Sequence, residues 1–135
     1  MFVCCDDVCA GLDGNVDAVR SWVASGADIN VVDKNGTTPL MFASRGLHSE
    51  CVAEMLRLGA DARRVNDFGW TALHRVALSP SRHGDGVGVF RQLVAAGCDA
   101  AVRDNDGHTA VELARTRYGA EWATVIEGWV AAAMA

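Results

Sequence analysis

The sequence predicts a helical repeat protein, because one pattern of turn, helix cap and apolar helix face occurs three times along the chain. The clearest copy is N-D-F-G-W-T-A-L-H-R-V-A, residues 66–77. Gly69 can take the positive φ that its turn needs, and the Thr71 hydroxyl can accept a bond from a helix's first turn. An apolar face with i, i+3 and i+4 spacing follows. Similar sequence begins at Asp33 and again at Asp104, so we predict stacked units of one kind.

Length and composition favour one folded domain. The chain has 135 residues, of which 50% are hydrophobic and only two are proline, so it can bury a core and is not predicted to be disordered. The net charge is −5, and Arg63, Arg64 and Arg103 stand among acidic residues. This balance argues against a nucleic-acid groove, which needs a concentrated basic face.

No targeting segment and no membrane span are expected. The first residues lack a basic region, and the apolar residues 129–135 are far fewer than the roughly 20 that a span needs. Five cysteines without framework spacing indicate a reducing, cytoplasmic environment. This prediction leaves nuclear or host-cell delivery open.

The first two repeats differ in completeness. Residues 1–32 lack the turn and cap at the front, and their second helix is closed by Gly26. An atypical terminal repeat is expected, because it has no neighbour on one side. Residues 33–65 are the most complete repeat: Thr38 caps the first helix and Pro39 occupies its first position, where a missing N–H costs nothing.

The last two repeats carry an insertion and a long apolar helix. Residues 66–103 contain five extra residues between the two helices, and the polar, glycine-rich segment 78–86 predicts an inserted loop. Residues 104–135 begin with a capping box formed by Thr109 and Glu112. The final helix has an apolar stripe, which predicts burial on one side and consists of Trp122, Val125, Ile126, Trp129 and Val130.

Two short motifs recur in register. The front motif is T-P-L-M from Thr38, T-A-L-H from Thr71 and T-A-V-E from Thr109; the back motif is G-A-D-I-N from Gly26, G-A-D-A-R from Gly59 and G-C-D-A-A from Gly97. They resemble the motifs of the ankyrin repeat family, whose unit is about 33 residues long. The resemblance covers essentially all of residues 1–135. It implies one all-α domain, a solenoid of about four stacked helix–loop–helix units with projecting β-hairpin-like turns.

Some residues depart from the family pattern. Met41 replaces the family histidine, so its hydrogen bond to the cap threonine is absent in that repeat. Leu47 replaces a loop glycine, and we expect Gly46 to take over its role. Alanine stands in place of proline at Ala72 and Ala110, a mild loss of pre-organisation. None of these changes threatens the fold, because each is worth roughly a kcal/mol or less.

The residues that could serve in catalysis or metal binding are better explained by a role in stabilising the fold. His74 follows the cap Thr71 by three positions and is expected to bond that threonine and nearby backbone; catalysis would require a nucleophile that cannot be assigned. The N-terminal cysteines do not have the paired spacing of a zinc site. We therefore predict no enzyme activity, no metal and no cofactor, although metal or redox use remains a third hypothesis, carried by Cys4, Cys5 and Cys9.

The candidate partner-binding residues occupy the turn tips and the exposed side of the first helices, as the resemblance implies. Phe68 and Trp70 are the strongest candidates, because interface hot spots favour aromatic residues, but Trp70 packing on an adjacent turn is an equal alternative. The full predicted set is Lys34, Asn35, Thr37, Arg45, Asp67, Phe68, Trp70, Asn105 and His108. Other outward positions are Asp106, Leu12, Asp13 and Leu78, and a secondary contact loop is formed by Arg82, His83 and Asp85.

The predicted function is non-catalytic recognition of a protein partner through the turn tips and the concave face of the first helices. A rigid, preformed surface loses little entropy on binding. The alternative is a structural or regulatory subunit that assembles through its apolar C-terminal helix. We expect a protein partner, no nucleic acid and no membrane, and a monomer in preference to an oligomer.

Overall fold

Helices make up all the regular structure in the described part of the chain. The computed structural model describes residues 16–32, 34–78 and 86–134. Within these ranges there are seven helices and no strand: α1 Val16–Ala24, α2 Pro39–Arg45, α3 Ser49–Arg57, α4 Ala72–Ala77, α5 Gly86–Ala95, α6 Ala110–Tyr118 and α7 Ala120–Met134.

The helices stack in two layers. The shorter first helices α2, α4 and α6 pack side by side, and the second helices α1, α3, α5 and α7 form the neighbouring row. Each pair α2–α3, α4–α5 and α6–α7 joins the two rows. This arrangement confirms the predicted all-α solenoid.

Each first helix is capped by the predicted threonine, which directly precedes its first residue. The hydroxyls of Thr38, Thr71 and Thr109 accept a bond from the backbone N–H three residues later, at 3.3 Å, 3.4 Å and 3.3 Å. Glu112 returns a bond to the Thr109 N–H at 3.0 Å, so the predicted capping box is confirmed. These bonds satisfy N–H groups that have no partner inside the helix.

The loop between α2 and α3 contradicts one prediction. Leu47 itself has a positive φ of 57°, whereas Gly46 has an ordinary φ of −80°. The strained backbone at Leu47 accompanies a side chain that is only 4% exposed, so burial of its apolar surface offsets the strain. A Cβ at Gly46 would lie 2.5 Å from the ring of the half-buried His48, which would have to move.

The start of α5 also differs from the prediction. Gly86 was expected in the inserted loop, but it is the first residue of α5 and is buried. A Cβ at Gly86 would lie 2.5 Å from Trp129, so the absence of a side chain lets α7 approach α5 closely. The rest of the predicted insertion, residues 79–85, lies outside the described residues.

The apolar stripe of α7 packs into the core, as predicted for one side of this helix. Trp122 and Ile126 are buried, and Trp129 packs against Trp122 and Phe90 with ring centroids 5.4 Å and 6.1 Å apart. The Trp122 indole N–H donates to the Ala77 carbonyl at 2.9 Å, which ties α7 to α4. Val125 is the exception, since it is exposed.

Ionic contacts join the second helices at the other end of the stack. The Glu54 carboxylate on α3 accepts bonds from Arg20 on α1 at 3.0 Å and from Arg57 at 3.1 Å. Hydrogen bonds from Arg57 and then Arg20 lower the pKa of Glu54 to about 2. Glu54 therefore stays ionised and links α1 to α3 at neutral pH.

Candidate functional site

The turn tips form a continuous row held by backbone hydrogen bonds. The Asp67 N–H donates to the Asn35 carbonyl at 2.9 Å, and the Asn105 N–H donates to the Phe68 carbonyl at 3.0 Å. The Asn105 side chain adds a bond to the Asp67 carbonyl at 2.7 Å. We call the residues at these three tips the tip row: Lys34, Asn35, Asp67, Phe68, Asn105 and Asp106.

Gly69 makes the close spacing of the tips possible. Its φ is +78°, and a Cβ there would lie 2.7 Å from the Asn105 side-chain oxygen and 2.8 Å from the Asn105 nitrogen. A larger residue would therefore strain the turn and push the next tip away. The glycine that the sequence assigned to the turn thus also brings the tip row together.

Phe68 and Trp70, which we call the aromatic pair, differ in exposure. Phe68 is 46% exposed and stacks on Trp70, with ring centroids 4.7 Å apart and planes inclined by 28°. Trp70 is half-buried, and its indole N–H donates to Asp104 Oδ2 at 3.1 Å. Trp70 thus contacts the adjacent turn, as the packing alternative expects, and its role as an interface hot spot stays a prediction.

The turn that carries the aromatic pair is organised by a buried amide. Asn66 Oδ1 accepts bonds from the N–H groups of Phe68 and Trp70, both at 3.0 Å. Its Nδ2 donates to Thr37 Oγ1 at 3.4 Å. Thr37 is only 4% exposed, so the prediction that it points outward was wrong. Its hydroxyl is covered by the asparagine of the next repeat.

Asp104 has the same role one repeat later. Its Oδ1 accepts bonds from the N–H groups of Asp106 at 3.0 Å and His108 at 2.9 Å, while Oδ2 accepts the Trp70 bond. Burial acts to raise the pKa of Asp104, but the bonds from His108, Trp70 and Asp106 outweigh it and hold the pKa below its ordinary value. Asp104 is therefore an anion at neutral pH.

Asp104, Asp106 and His108 come close together. Single ligand atoms of the three lie within 4.8 Å of one another, a spacing that a metal ion can bridge. Both Asp104 oxygens already accept bonds that shape the turn, and Asn66 makes the same backbone bonds with an amide in the preceding repeat. The turn itself therefore accounts for Asp104, and we assign no metal to this cluster.

The first helices contribute a second part of the surface. Arg45 is exposed, as predicted. Leu78 is only 5% exposed, so its predicted outward position was wrong, and its carbonyl accepts a bond from the Tyr118 hydroxyl at 3.0 Å. Phe42 and Arg75, which were not among the predicted residues, lie half-buried on this face, with the Arg75 guanidinium 5.3 Å from the Phe42 ring centroid.

The positions of Phe42 and Arg75 within their repeats indicate from the sequence that they lie close together. Each stands four residues after its cap threonine, Thr38 or Thr71, and so they occupy equivalent places in successive repeats. Residues at one repeat position line up along the stack. Aligning the repeats column by column would have placed this cation–π pair on the face of the first helices.

The other predicted binding residues have mixed exposure. Lys34, Asp67 and Asn105 are exposed, as predicted. Asn35 and His108 are half-buried. The remaining predictions lie outside the described residues: Leu12, Asp13, Arg82, His83, Asp85 and the cysteines Cys4, Cys5 and Cys9.

His74 is a structural residue, as predicted. Its Nδ1 accepts the Thr71 N–H at 3.2 Å, and its Nε2 lies 2.9 Å from the His108 carbonyl, to which it donates. Burial lowers the pKa of His74, although the His108 carbonyl and the Asp104 charge act to raise it. The neutral ring therefore links two repeats.

Cys51 and Cys98 are buried free thiols, in agreement with their predicted core positions. Burial raises the pKa of both thiols, which disfavours the reactive thiolate. Across residues 16–32, 34–78 and 86–134, no helix combines the length and the apolar character that a membrane crossing requires.

Comparison with known proteins supports the repeat assignment. A family model described as ankyrin repeats, in three copies, matches residues 8–104. Over 118 residues the chain is 34% identical to a probable E3 ubiquitin-protein ligase of Oryza sativa subsp. japonica, covering 85% of this chain and 22% of the ligase. It is 33% identical over 104 residues to a protein of Treponema pallidum (strain Nichols) named for its ankyrin repeats, covering 76% of this chain and 33% of that protein.

A third relative is much longer than this chain. The chain is 30% identical over 111 residues to the Neurogenic locus Notch protein of Drosophila melanogaster, which covers 81% of this chain and 4% of Notch. The chain therefore spans a third or less of the length of these three relatives.

Proposed function

This chain belongs to the ankyrin repeat family, and on that premise we propose that it is a non-catalytic module that binds another protein. The contact surface would consist of the tip row together with the exposed face of α2, α4 and α6. The observation that carries the proposal is the aromatic pair, in which an exposed Phe68 stands on a Trp70 anchored to the next repeat.

The physical argument rests on rigidity and composition. Hydrogen bonds between neighbouring tips hold the surface before binding, so little ordering entropy is lost on association. An aromatic centre among polar and charged residues is the usual composition of a protein interface. Fold membership alone does not name the partner, because repeat folds carry many different surfaces.

Phe68→Ala is the substitution that tests the proposal. We expect it to weaken partner binding at least about ten-fold, as truncation of an aromatic hot spot does. The free energy of unfolding should fall by only about 0.5–1.5 kcal/mol, because the stacking contact with Trp70 is lost but no core residue changes. Trp70→Ala is less informative, because it also removes the bond to Asp104.

Parallel affinity capture provides the measurement. Wild type, Phe68→Ala and Val125→Ala are immobilised, and captured proteins are quantified and then tested as purified pairs. Val125 is an exposed apolar residue on α7, away from the tip row, so its variant should behave as wild type. If every protein captured by wild type is retained equally by Phe68→Ala, the proposed surface is wrong.

Assembly through α7 remains the alternative function, with less support. Trp122 and Ile126 are buried in the core, whereas Tyr118 on α6 and Val125 on α7 are the large exposed apolar residues among the described residues near this end. The mass of the protein in solution tests this alternative. A stable homo-oligomer that Val125→Glu dissociates and Phe68→Ala leaves intact would favour assembly over partner recognition.

A cytoplasmic setting without nucleic-acid or membrane partners belongs to the same proposal. The buried free thiols of Cys51 and Cys98 support a reducing environment. The acidic balance of the chain supports the absence of nucleic acid.

A further inference from the structure

We infer that the aromatic pair receives a positively charged side chain of the partner, an arginine in an extended segment that crosses the tip row. This inference rests on the proposed function and specifies the chemistry of the partner at that surface. Phe68 is exposed, and both its own tip and the next tip carry carboxylates.

The charges near the aromatic pair are predominantly negative. Asp67 precedes Phe68, and Asp104 accepts the Trp70 indole bond. Asp106 is exposed and follows Asn105, whose N–H donates to the Phe68 carbonyl. These three carboxylates create a local potential that attracts a cation and repels an anion.

The cations nearby do not neutralise this group. Arg103 Nη1 donates to the Gly107 carbonyl at 2.7 Å and pairs with Glu112 at 3.0 Å, so the Glu112 carboxylate balances its charge. Lys34 is exposed on the first tip, beside Asn35, whose carbonyl accepts the Asp67 N–H, so it sets one positive charge against three carboxylates. A cationic partner side chain would therefore complete the charge balance between the second and third tips.

The stacked rings favour a planar cation. A guanidinium binds the face of an aromatic ring through its quadrupole, and it can also donate bonds to carboxylates beside the ring. The same molecule contains this contact once already, where the Arg75 guanidinium lies 5.3 Å from the centroid of Phe42 on the adjoining helical face. Arginine and aromatic rings are thus compatible partners on this surface.

Other occupants fit the tip row less well. An apolar anchor would cover Phe68 but would desolvate Asp67 and Asp106 without a compensating charge, which is costly. A phosphate or an acidic peptide would be repelled by the predominantly negative charge of these two tips. Among the common interface anchors, arginine is the one that satisfies both the ring and the charges.

A pair of peptides tests this inference without knowledge of the partner. Acetyl-Gly-Gly-Arg-Gly-Gly-amide is titrated into the millimolar range against the full chain, and the same peptide with citrulline serves as its neutral isostere. Binding is followed by the NMR cross-peak of the Trp70 indole N–H, assigned by its loss in Trp70→Phe. We expect a saturable shift with the arginine peptide and none with the citrulline peptide.

Three variants separate the contributions. Phe68→Leu keeps an apolar side chain but removes the ring face, and it should weaken arginine-peptide binding about two- to five-fold. Asp106→Asn should weaken it by a similar factor. Glu121→Gln changes the charge equally on an exposed residue of α7, so it should leave binding as in wild type.

The outcomes distinguish this inference from the proposed function. Equal shifts with both peptides, no shift with either, or full binding by Phe68→Leu would overturn the arginine assignment. If the arginine peptide fails while protein capture still depends on Phe68, the interaction surface stands and only its partner chemistry is wrong. If capture is also independent of Phe68, both fall.

Discussion

At the scale of single residues, His74 shows how one side chain fixes the contact between two repeats. Its ring lies at 1% exposure, and both nitrogens are used on backbone groups of Thr71 and His108. Met41 occupies the equivalent buried position one repeat earlier. Its thioether has no N–H to donate and cannot link two repeats as the imidazole does. The two residues thus allow a comparison between a polar and an apolar side chain at the same buried repeat position.

His74→Met is expected to destabilise the fold by about 1–3 kcal/mol near neutral pH, because the buried Thr71 N–H loses its acceptor. It should also change the pH dependence. Burial lowers the pKa of His74 below its ordinary 6.5, so below that pH the unfolded chain binds a proton that the folded chain does not. Stability contributed by His74 is therefore present above pH 6.5 and is lost as the pH falls.

Urea unfolding of wild type and His74→Met at about pH 7.5 and about pH 5.5 provides the measurement. Wild type should lose up to about 1.4 kcal/mol per pH unit from this group, and the variant should lose less. Asp104 does not contribute to the change in stability between these two pH values, because its pKa is lowered from the ordinary value of 3.8 and it stays ionised at both. A pH dependence that persists unchanged in His74→Met would assign it to another group.

At the scale of elements, two glycines on contacting helices have opposite roles. Gly86 begins α5 under the Trp129 ring, where a Cβ would lie 2.5 Å from the indole. Gly128 lies within α7, is exposed, and would carry a Cβ with nothing within 4 Å. The sequence places Gly86 in a glycine-rich segment and Gly128 in an apolar helix, and only the contact between α5 and α7 shows that Gly86 has no room for a side chain.

Gly128→Ala is expected to stabilise the protein by about 0.5–1 kcal/mol, because alanine loses less backbone entropy within a helix. Gly86→Ala should destabilise it by about 1–3 kcal/mol, because Trp129 is packed against Phe90 and Trp122 and must move. Thermal melts of both variants beside wild type give the comparison. A stabilising Gly86→Ala would show that α7 can shift without cost.

At the scale of the whole molecule, stability is a sum of repeats and their interfaces. The last interface depends on the Trp122 N–H, which donates to the Ala77 carbonyl, and on the Tyr118 hydroxyl, which donates to the Leu78 carbonyl. Both bonds connect α6 and α7 to the C-terminal end of α4. Weakening them should loosen this end of the stack first.

Trp122→Phe tests that expectation, since it keeps a ring but removes the indole donor. We expect a loss of about 1–3 kcal/mol, concentrated in α6 and α7. Hydrogen exchange should therefore accelerate in these helices more than in α2 and α3. Val125→Ala, an exposed change on the same helix, is the control. Equal acceleration along the whole chain would instead indicate a single cooperative unit.

The sequence by itself determined the repeat phase, the helix caps and most core positions. Thr38, Thr71 and Thr109 cap their helices because the interaction is local, between a side chain and an N–H three residues away. Leu40 and Ala43, like their counterparts in the next repeat, are buried because helical spacing places them on one face. Such features need only short-range information.

Only the tertiary structure decided which side chains of the tips and first helices face outward. The Thr37 hydroxyl accepts a bond from Asn66, the Trp70 indole donates to Asp104, and the Leu78 carbonyl accepts a bond from Tyr118. These pairs are 29, 34 and 40 residues apart. Exposure at each position therefore depends on a residue of the next repeat. The aromatic pair illustrates both levels: its turn was evident from local sequence, whereas the division between an exposed Phe68 and an anchored Trp70 required the neighbouring turn.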